Sequence, residues 1–348
     1  MKLPATLQPL PATAYSLFVG IDIAAQTAVA AWIVPGEPVT RPISIEQSAS
    51  GFVSLQEHLV ATGVAPARML IVLEATGTYW LNLATTLVGA GFTVSVINPA
   101  QAHDFAKALL KRAKTDAIDA QTLAQLAERL QPPPWNPPPL IAVELEQRLQ
   151  EREALLKLRQ QVRNQLHALT QQPCVASSVQ GRMETLIQTL TSQVAEVESE
   201  MAHLLRQDEE WAQTAAKLQT INGIGLLTAT HLLVTTMNFT EPLTAVQTAA
   251  YAGLVPYPRR SGTSVRGRTN IGQTGNARLR RALYLATLSA AQCNPIIKAF
   301  YDRLRAAGKP MKVARCAAAR KLLHMAFAIA KSDQPFDPLY QQRSHAVA

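Results

Sequence analysis

Apolar positions in the first third of the chain follow two periods. Ser16 to Ile23, Ala28 to Val34 and Pro42 to Ile45 are short β-rich runs, and they predict three consecutive strands. Phe52 to Leu59 carries helical spacing, and Met69 to Leu73 is a continuous apolar run suited to a buried strand. Leu81 to Val88 is helical again, and Phe92 to Ile97 predicts a further strand. The order predicts one mixed sheet covered by helices, with chemistry at the carboxyl ends of the strands.

The pattern stops between 132 and 139, where six prolines flank Trp135 and Asn136. Their fixed φ and missing amide hydrogens forbid helix or central strand, so a stiff linker is expected. Beyond it Leu145, Leu149, Leu155, Leu158, Val162, Leu166 and Leu169 recur at mostly three- and four-residue spacing. Leu186, Leu190, Val194, Val197, Met201 and Leu204 repeat the pattern. Two long helices are expected to fold back across Gln171 to Gly181 as an antiparallel coiled coil, a device for packing or oligomerisation. A last, mainly α-helical region follows from near residue 213. It opens with Leu218 to Ala229, which is similar to a helix-hairpin-helix. There Gly223 and Gly225 would permit tight backbone geometry and present amides to a DNA phosphate, although the same residues also suit a simple helix cap.

With 348 residues, 48% of them hydrophobic and 16% charged, the chain has material for two ordinary buried cores. No apolar run is long enough to span a bilayer, and Pro4, Pro9 and Pro11 interrupt the N-terminal segment, which spoils a signal-peptide reading. A cytoplasmic protein without a membrane partner is expected. Cys174, Cys293 and Cys316 lie far apart, which suggests neither a disulfide framework nor a zinc site.

The net charge of +9 is unevenly spread: Arg259 to Lys331 holds 16 lysines and arginines against one acid, Asp302. A polyanion partner is the natural inference, since neutralising phosphates releases condensed counterions; a solvated basic surface is the plainer reading.

Four carboxylates stand out against the apolar pattern. Asp22 ends the run Phe18-Val19-Gly20-Ile21-Asp22-Ile23, and Glu74 ends Leu70-Ile71-Val72-Leu73-Glu74. Asp116 and Asp119 open a helix at Lys114-Thr115-Asp116-Ala117-Ile118-Asp119-Ala120, where three-residue spacing puts them on one face. Such a set can hold a pair of Mg²⁺ ions for in-line phosphoryl transfer. Singly, each acid also suits a cap or a turn. Gly20-Ile21-Asp22-Ile23 fits the actin-like ATPase fold as well, but Ala24-Ala25-Gln26-Thr27 supplies no glycine for its phosphate hairpin.

The basic region carries Tyr251-Ala252-Gly253-Leu254-Val255-Pro256, then Arg259-Arg260-Ser261-Gly262-Thr263-Ser264-Val265-Arg266-Gly267-Arg268, Asn276, Arg278, Arg280 and Arg281. Glycines let amides approach a phosphate, and arginines hold it with forked hydrogen bonds. Lys312 and Arg315 extend the set of candidate nucleic-acid contacts. A hydroxyl here can attack phosphorus if activated, but sequence chemistry alone favours a loop whose serines only hydrogen-bond.

These ordered motifs, with Leu73 to Tyr79 and Val96-Ile97-Asn98-Pro99, together resemble the DEDD insertion-sequence transposases, a group with pilin-gene invertases and bridge-RNA-guided recombinases. The resemblance spans nearly the whole chain. It implies an α/β RNase H-like (RuvC-like) domain over 15–131, the linker at 132–139, a coiled-coil hairpin over 140–210 and a transposase domain over 213–340. It further implies that Asp22, Glu74, Asp116 and Asp119 bind Mg²⁺, with Mn²⁺ as a substitute, and that Ser261 links covalently to DNA. Family position favours Ser261 over Ser264. Other implied properties are a tetramer built as a dimer of dimers on donor and target duplexes, and a structured non-coding guide RNA. The acids of one subunit are expected to meet the serine domain of another, at the nucleoid of a prokaryotic cell. Departures from the family pattern are Asn222, where proline is frequent, and a longer N-terminal extension. Two rivals remain: a RuvC-like nuclease that cuts branched DNA by water attack, and a non-catalytic nucleic-acid-binding regulator.

Overall fold

A computed structural model of the chain describes residues 15–111, 115–240, 244–257, 260–261, 265–266, 270–271, 275–332 and 334–338. The chain divides into two units, Met1–Pro137 and Pro138–Ala348.

The first unit is a five-stranded mixed sheet with helices on both faces. Its elements are β1 (Leu17–Ile23), β2 (Thr27–Ile33), β3 (Ile43–Glu46), α1 (Ala49–Val60), β4 (Met69–Glu74), α2 (Trp80–Gly89), β5 (Thr93–Ile97), α3 (Pro99–Ala108) and α4 (Asp116–Leu130). Strand order is β3-β2-β1-β4-β5, with β1 antiparallel to β2 and parallel to β4, and β4 parallel to β5. The two central strands are buried on both faces, which is why they read as unbroken apolar runs.

Alternation along those strands decides which side each residue serves. Leu17, Val19 and Ile21 of β1 and Met69, Ile71 and Leu73 of β4 form one core with Leu55, Leu59, Leu83 and Leu87 of α1 and α2. Phe18 of β1 and Leu70 and Val72 of β4 face the other way, onto Leu123, Leu126 and Ala127 of α4. Gly20 lies on that second face. A Cβ there would fall 2.1 Å from the Ala124 amide nitrogen and 2.2 Å from the Ala120 carbonyl oxygen, so only glycine lets α4 lie against β1 this closely.

The first residues of the proline segment, expected as a stiff linker, pack on the sheet. The Ser95 hydroxyl of β5 lies 2.7 Å from the Pro132 carbonyl and 2.8 Å from that of Pro133, while the Trp135 amide donates to Val94 at 2.7 Å. The Trp135 ring packs edge-on against Trp80, with centroids 5.4 Å apart. Prolines cannot extend a ladder, yet their carbonyls still accept. The segment therefore covers the otherwise open edge of β5.

The second unit begins with α5 (Leu140–Thr170) and α6 (Ser177–Gln207), 31 residues each, which pack on one another as a helical hairpin. Arg148 bridges to Glu200 at 3.0 Å and Arg152 to Glu198 at 2.6 Å. Ala142, Leu145 and Leu149 of α5 and Val197, Met201 and Leu205 of α6 enter the unit's main core. In α6 Leu205 is the buried residue where the sequence suggested Leu204. Farther along the hairpin the apolar stripe surfaces, with Leu158 50% and Leu186 46% exposed.

The remaining elements are α7 (Glu209–Gln219), α8 (Leu226–Thr236), α9 (Ala245–Tyr251), four two-residue strands β6 (Pro256–Tyr257), β7 (Arg260–Ser261), β8 (Val265–Arg266) and β9 (Asn270–Ile271), then α10 (Ala277–Cys293), α11 (Pro295–Ala306) and α12 (Met311–Lys331). β6 pairs with β9 and β7 with β8, so the serine-bearing stretch is built from short ribbons. Among the described residues no helix is long and apolar enough to cross a membrane.

Candidate active site

Asp22 and Glu74 reach the same place by strand arithmetic. Ile21 of β1 stands level with Leu73 of β4 in the parallel register, and Asp22 and Glu74 are the next residues along the two strands. Both follow the even-numbered face that receives α4, beyond the apolar Phe18, Leu70 and Val72. Asp116 and Asp119 lie in the first turn of that helix, whose N-cap is Thr115, its hydroxyl accepting from the Ile118 amide at 3.3 Å. The cap is thus Thr115 rather than Asp116, which leaves the Asp116 carboxylate exposed instead of spent on the helix end. Positive partial charge at the helix N-terminus favours both acids.

Electrostatics tie the four together. The Asp22 carboxyl is pushed up to about 6, first by burial and then by Asp119, Asp116 and Glu74; a hydrogen bond from the Ile23 backbone opposes the shift. Around Glu74 the Thr76 hydroxyl donates at 2.6 Å, fixing one carboxylate oxygen. Lys111, held by a 2.9 Å hydrogen bond to Thr122 Oγ1, lies within the field of Asp119, and burial lowers its pKa. Sequence reasoning missed Thr76, Lys111 and Gly20. The last carried a signal, since a glycine in a buried strand marks close backbone approach.

Among the described residues no three His, Cys, Asp or Glu side chains stand close enough to hold a metal ion. By chemical type alone, carboxylate oxygens suit a hard divalent cation. The raised Asp22 pKa comes first from burial and then from repulsion by Asp119, Asp116 and Glu74, and that repulsion is of the kind a cation relieves.

In the second unit Ser261 is the last residue of β7 and pairs with Val265, while Arg260 pairs with Arg266. Arg259, Arg268 and Ser264 lie outside the described residues. Asn276 is a helix cap: its side chain accepts from the Leu279 amide at 3.0 Å, and its backbone amide donates to Tyr251 at 2.7 Å. Arg280 donates to the Ala252 carbonyl at 3.1 Å. Arg278 and Arg281 are paired with Glu153 of α5. Lys312 is exposed and Arg315 half-buried on α12.

Gly223 and Gly225 divide their expected roles. Gly223 has φ +105°, and a Cβ there would fall 2.5 Å from Ala290 Cβ, so it serves the packing of this turn on α10. The Asn222 side chain donates to the Cys293 carbonyl at 3.2 Å and Asn294 returns a bond to the Asn222 carbonyl at 3.3 Å, which stitches the same junction. Gly225 is the N-cap of α8, with open space where a Cβ would stand and no side-chain cap.

Two family models match the chain: one described as a transposase of the DEDD type, over residues 19–174, and one described as transposase of the IS116/IS110/IS902 family, over residues 215–302. The chain is 31% identical over 322 residues to the pilin gene-inverting protein of Moraxella bovis, spanning 92% of this chain and 97% of that protein. The pilin gene-inverting protein of Moraxella lacunata is similar to the same extent. An uncharacterized 43.6 kDa protein of insertion element IS110 from Streptomyces coelicolor is 32% identical over 165 residues, 47% of this chain and 40% of that protein.

Proposed function

The chain belongs to the IS116/IS110/IS902 family of DEDD transposases, and from that premise we propose that it is a site-specific DNA recombinase in which an acidic metal site and Ser261 act on one scissile phosphodiester. The observation that carries the reading is that Asp119, Asp116 and Glu74 all act on the half-buried Asp22 carboxyl.

Divalent metal use is general to the DEDD family, and the four acids are the residues that would hold the metal, Mg²⁺ or Mn²⁺. Bound there, it would supply charge neutralisation at the reacting phosphate. Asp22 and Glu74 bring rigidity, because they extend strands locked in the central ladder; Asp116 and Asp119 bring adjustable reach from a helix end. Ser261 would attack phosphorus, forming a phosphoserine bond as the bond to one deoxyribose oxygen breaks. The serine proton is lost and the leaving oxygen gains one, so the exchange is neutral and the phosphodiester energy is kept for religation.

The basic side chains of the second unit would grip the DNA backbone, and the Gly223–Gly225 turn would act as a helix-hairpin-helix with the free amides at the start of α8 facing phosphate. The α5–α6 hairpin, a coiled coil in this reading, would join subunits of a tetramer at the bacterial nucleoid. A structured non-coding RNA would choose donor and target duplexes by base pairing. The pilin gene-inverting relatives support inversion or transposition as the outcome.

The test compares Asp22→Ala with Ser261→Ala on donor and target duplexes. Both should lose strand exchange by at least a thousandfold, the scale on which removal of an essential group acts. A Ser261→Ala variant that still cuts would favour a water-using nuclease, and full activity after loss of all four acids would favour a non-catalytic regulator.

A further inference from the structure

Arg278 and Arg281 sit three residues apart near the start of α10, on one face of that helix. This is a poor place for cations, because the unsatisfied amides of a helix N-terminus already carry positive partial charge. The chain answers with an anion from 125 residues away. Glu153 of α5 takes Arg278 Nε on Oε2 at 3.1 Å and Arg281 Nη1 on Oε1 at 3.4 Å, and Lys157 Nζ stands 3.1 Å from the same Oε1. Lys157 and Arg278 together hold the Glu153 carboxyl below its ordinary range. The carboxylate is the covered member, 26% exposed, while the arginines are 48% and 67% exposed.

A planar carboxylate offering two oxygens to two guanidinium groups has the donor demand of a phosphodiester, whose two free oxygens arginine forks recognise in the same way. We propose that Arg278 and Arg281 form a DNA-backbone phosphate site which Glu153 occupies in the free protein and yields when DNA binds. This rests on the recombinase reading and adds what fills the site beforehand. The exchange sets affinity without reading sequence, and it unties α5 from α10 as DNA enters.

The experiment measures fluorescence anisotropy of a labelled random-sequence 30-base-pair duplex against the full chain over a KCl series. Glu153→Gln is expected to bind roughly three- to tenfold tighter than the wild type, the scale of one or two partly exposed ion pairs. Arg278→Gln/Arg281→Gln should flatten the slope of log K against log salt by about 1.8, for two lost phosphate contacts. In that arginine-free background the Glu153→Gln gain should vanish. An equal gain there would mean a general charge effect and overturn the exchange, as would no gain in the single variant. Should Glu153→Gln melt early, Glu153→Asp replaces it, and its shorter reach should give a smaller gain by the same logic. A wild type that forms the Ser261 adduct while Glu153→Gln shows no gain refutes the exchange alone. A wild type that binds no duplex refutes the recombinase reading with it.

Discussion

Replacing Asp22 with asparagine should make the metal-free protein more stable, not less. The Asp22 carboxyl is pushed up to about 6 from its ordinary 3.8 by burial and by Asp119, Asp116 and Glu74. That gap is worth about 3 kcal/mol if fully expressed and about 1–2 kcal/mol once solvent screening at a half-buried group is allowed for. The sign follows from linkage: with the folded pKa above the unfolded one, the protonated carboxyl is the favoured folded form. The stability that Asp22 contributes is therefore fully present below about pH 4 and lost as pH rises through 6. Asp22→Asn keeps the shape and removes the charge. In EDTA at pH 7.5 the variant should melt roughly 3–8 °C above the wild type, with the difference closing at pH 4. Adding Mg²⁺ should raise the wild-type melting temperature and move the variant much less. A variant that melts at or below the wild type at pH 7.5, with the same pH profile, would refute the reasoning, because burial and the neighbouring acids would then not penalise the Asp22 charge.

Gly20→Ala should destabilise the first unit by about 1–3 kcal/mol, and because the added Cβ meets the α4 backbone it should also displace Asp116 and Asp119 and cut strand exchange; thermal melts and activity read the two effects. Ser95→Ala leaves the Pro132 and Pro133 carbonyls without their hydroxyl partner. A loss of about 1–2 kcal/mol is expected, with faster proteolysis after residue 132. Gly223→Ala sets a Cβ 2.5 Å from that of Ala290 at a positive φ, so it should cost about 2 kcal/mol or more, read as an earlier melt, whereas Gly225→Ala should change stability little.

Much of the first unit was legible because its signals are local. β1 and β4 are apolar runs buried by helices on both faces, β5 is a shorter alternating run, and α1 and α2 carry the helical period. The helix α3 escaped because its residues average near neutral hydropathy; its signal was Asn98 before Pro99, a cap followed by a proline in the first turn. The meeting of Asp22 with Glu74 was suggested by their places at strand ends, but their common face follows from period-two alternation only once the core side is known. What the sequence hid is long-range. Nothing near Trp135 says that it packs on Trp80, and nothing near Arg278 says that Glu153 holds it. Gly223 shows both sides: its tight backbone geometry was legible in the sequence, whereas its packing on Ala290 was not, since that neighbour lies on a helix far along the chain.

The most direct measurement is mass spectrometry of the protein trapped on its DNA. The full chain, incubated with Mg²⁺, the proposed guide RNA and donor and target duplexes, is denatured, digested with nuclease and protease, and mapped for nucleotide-modified peptides. A nucleotide phosphate esterified to Ser261, absent from Ser261→Ala and from Asp22→Ala, is the expected result. Strand exchange with no protein-linked nucleotide, or with the link on Ser264 or another side chain, would contradict the assignment of Ser261 as nucleophile.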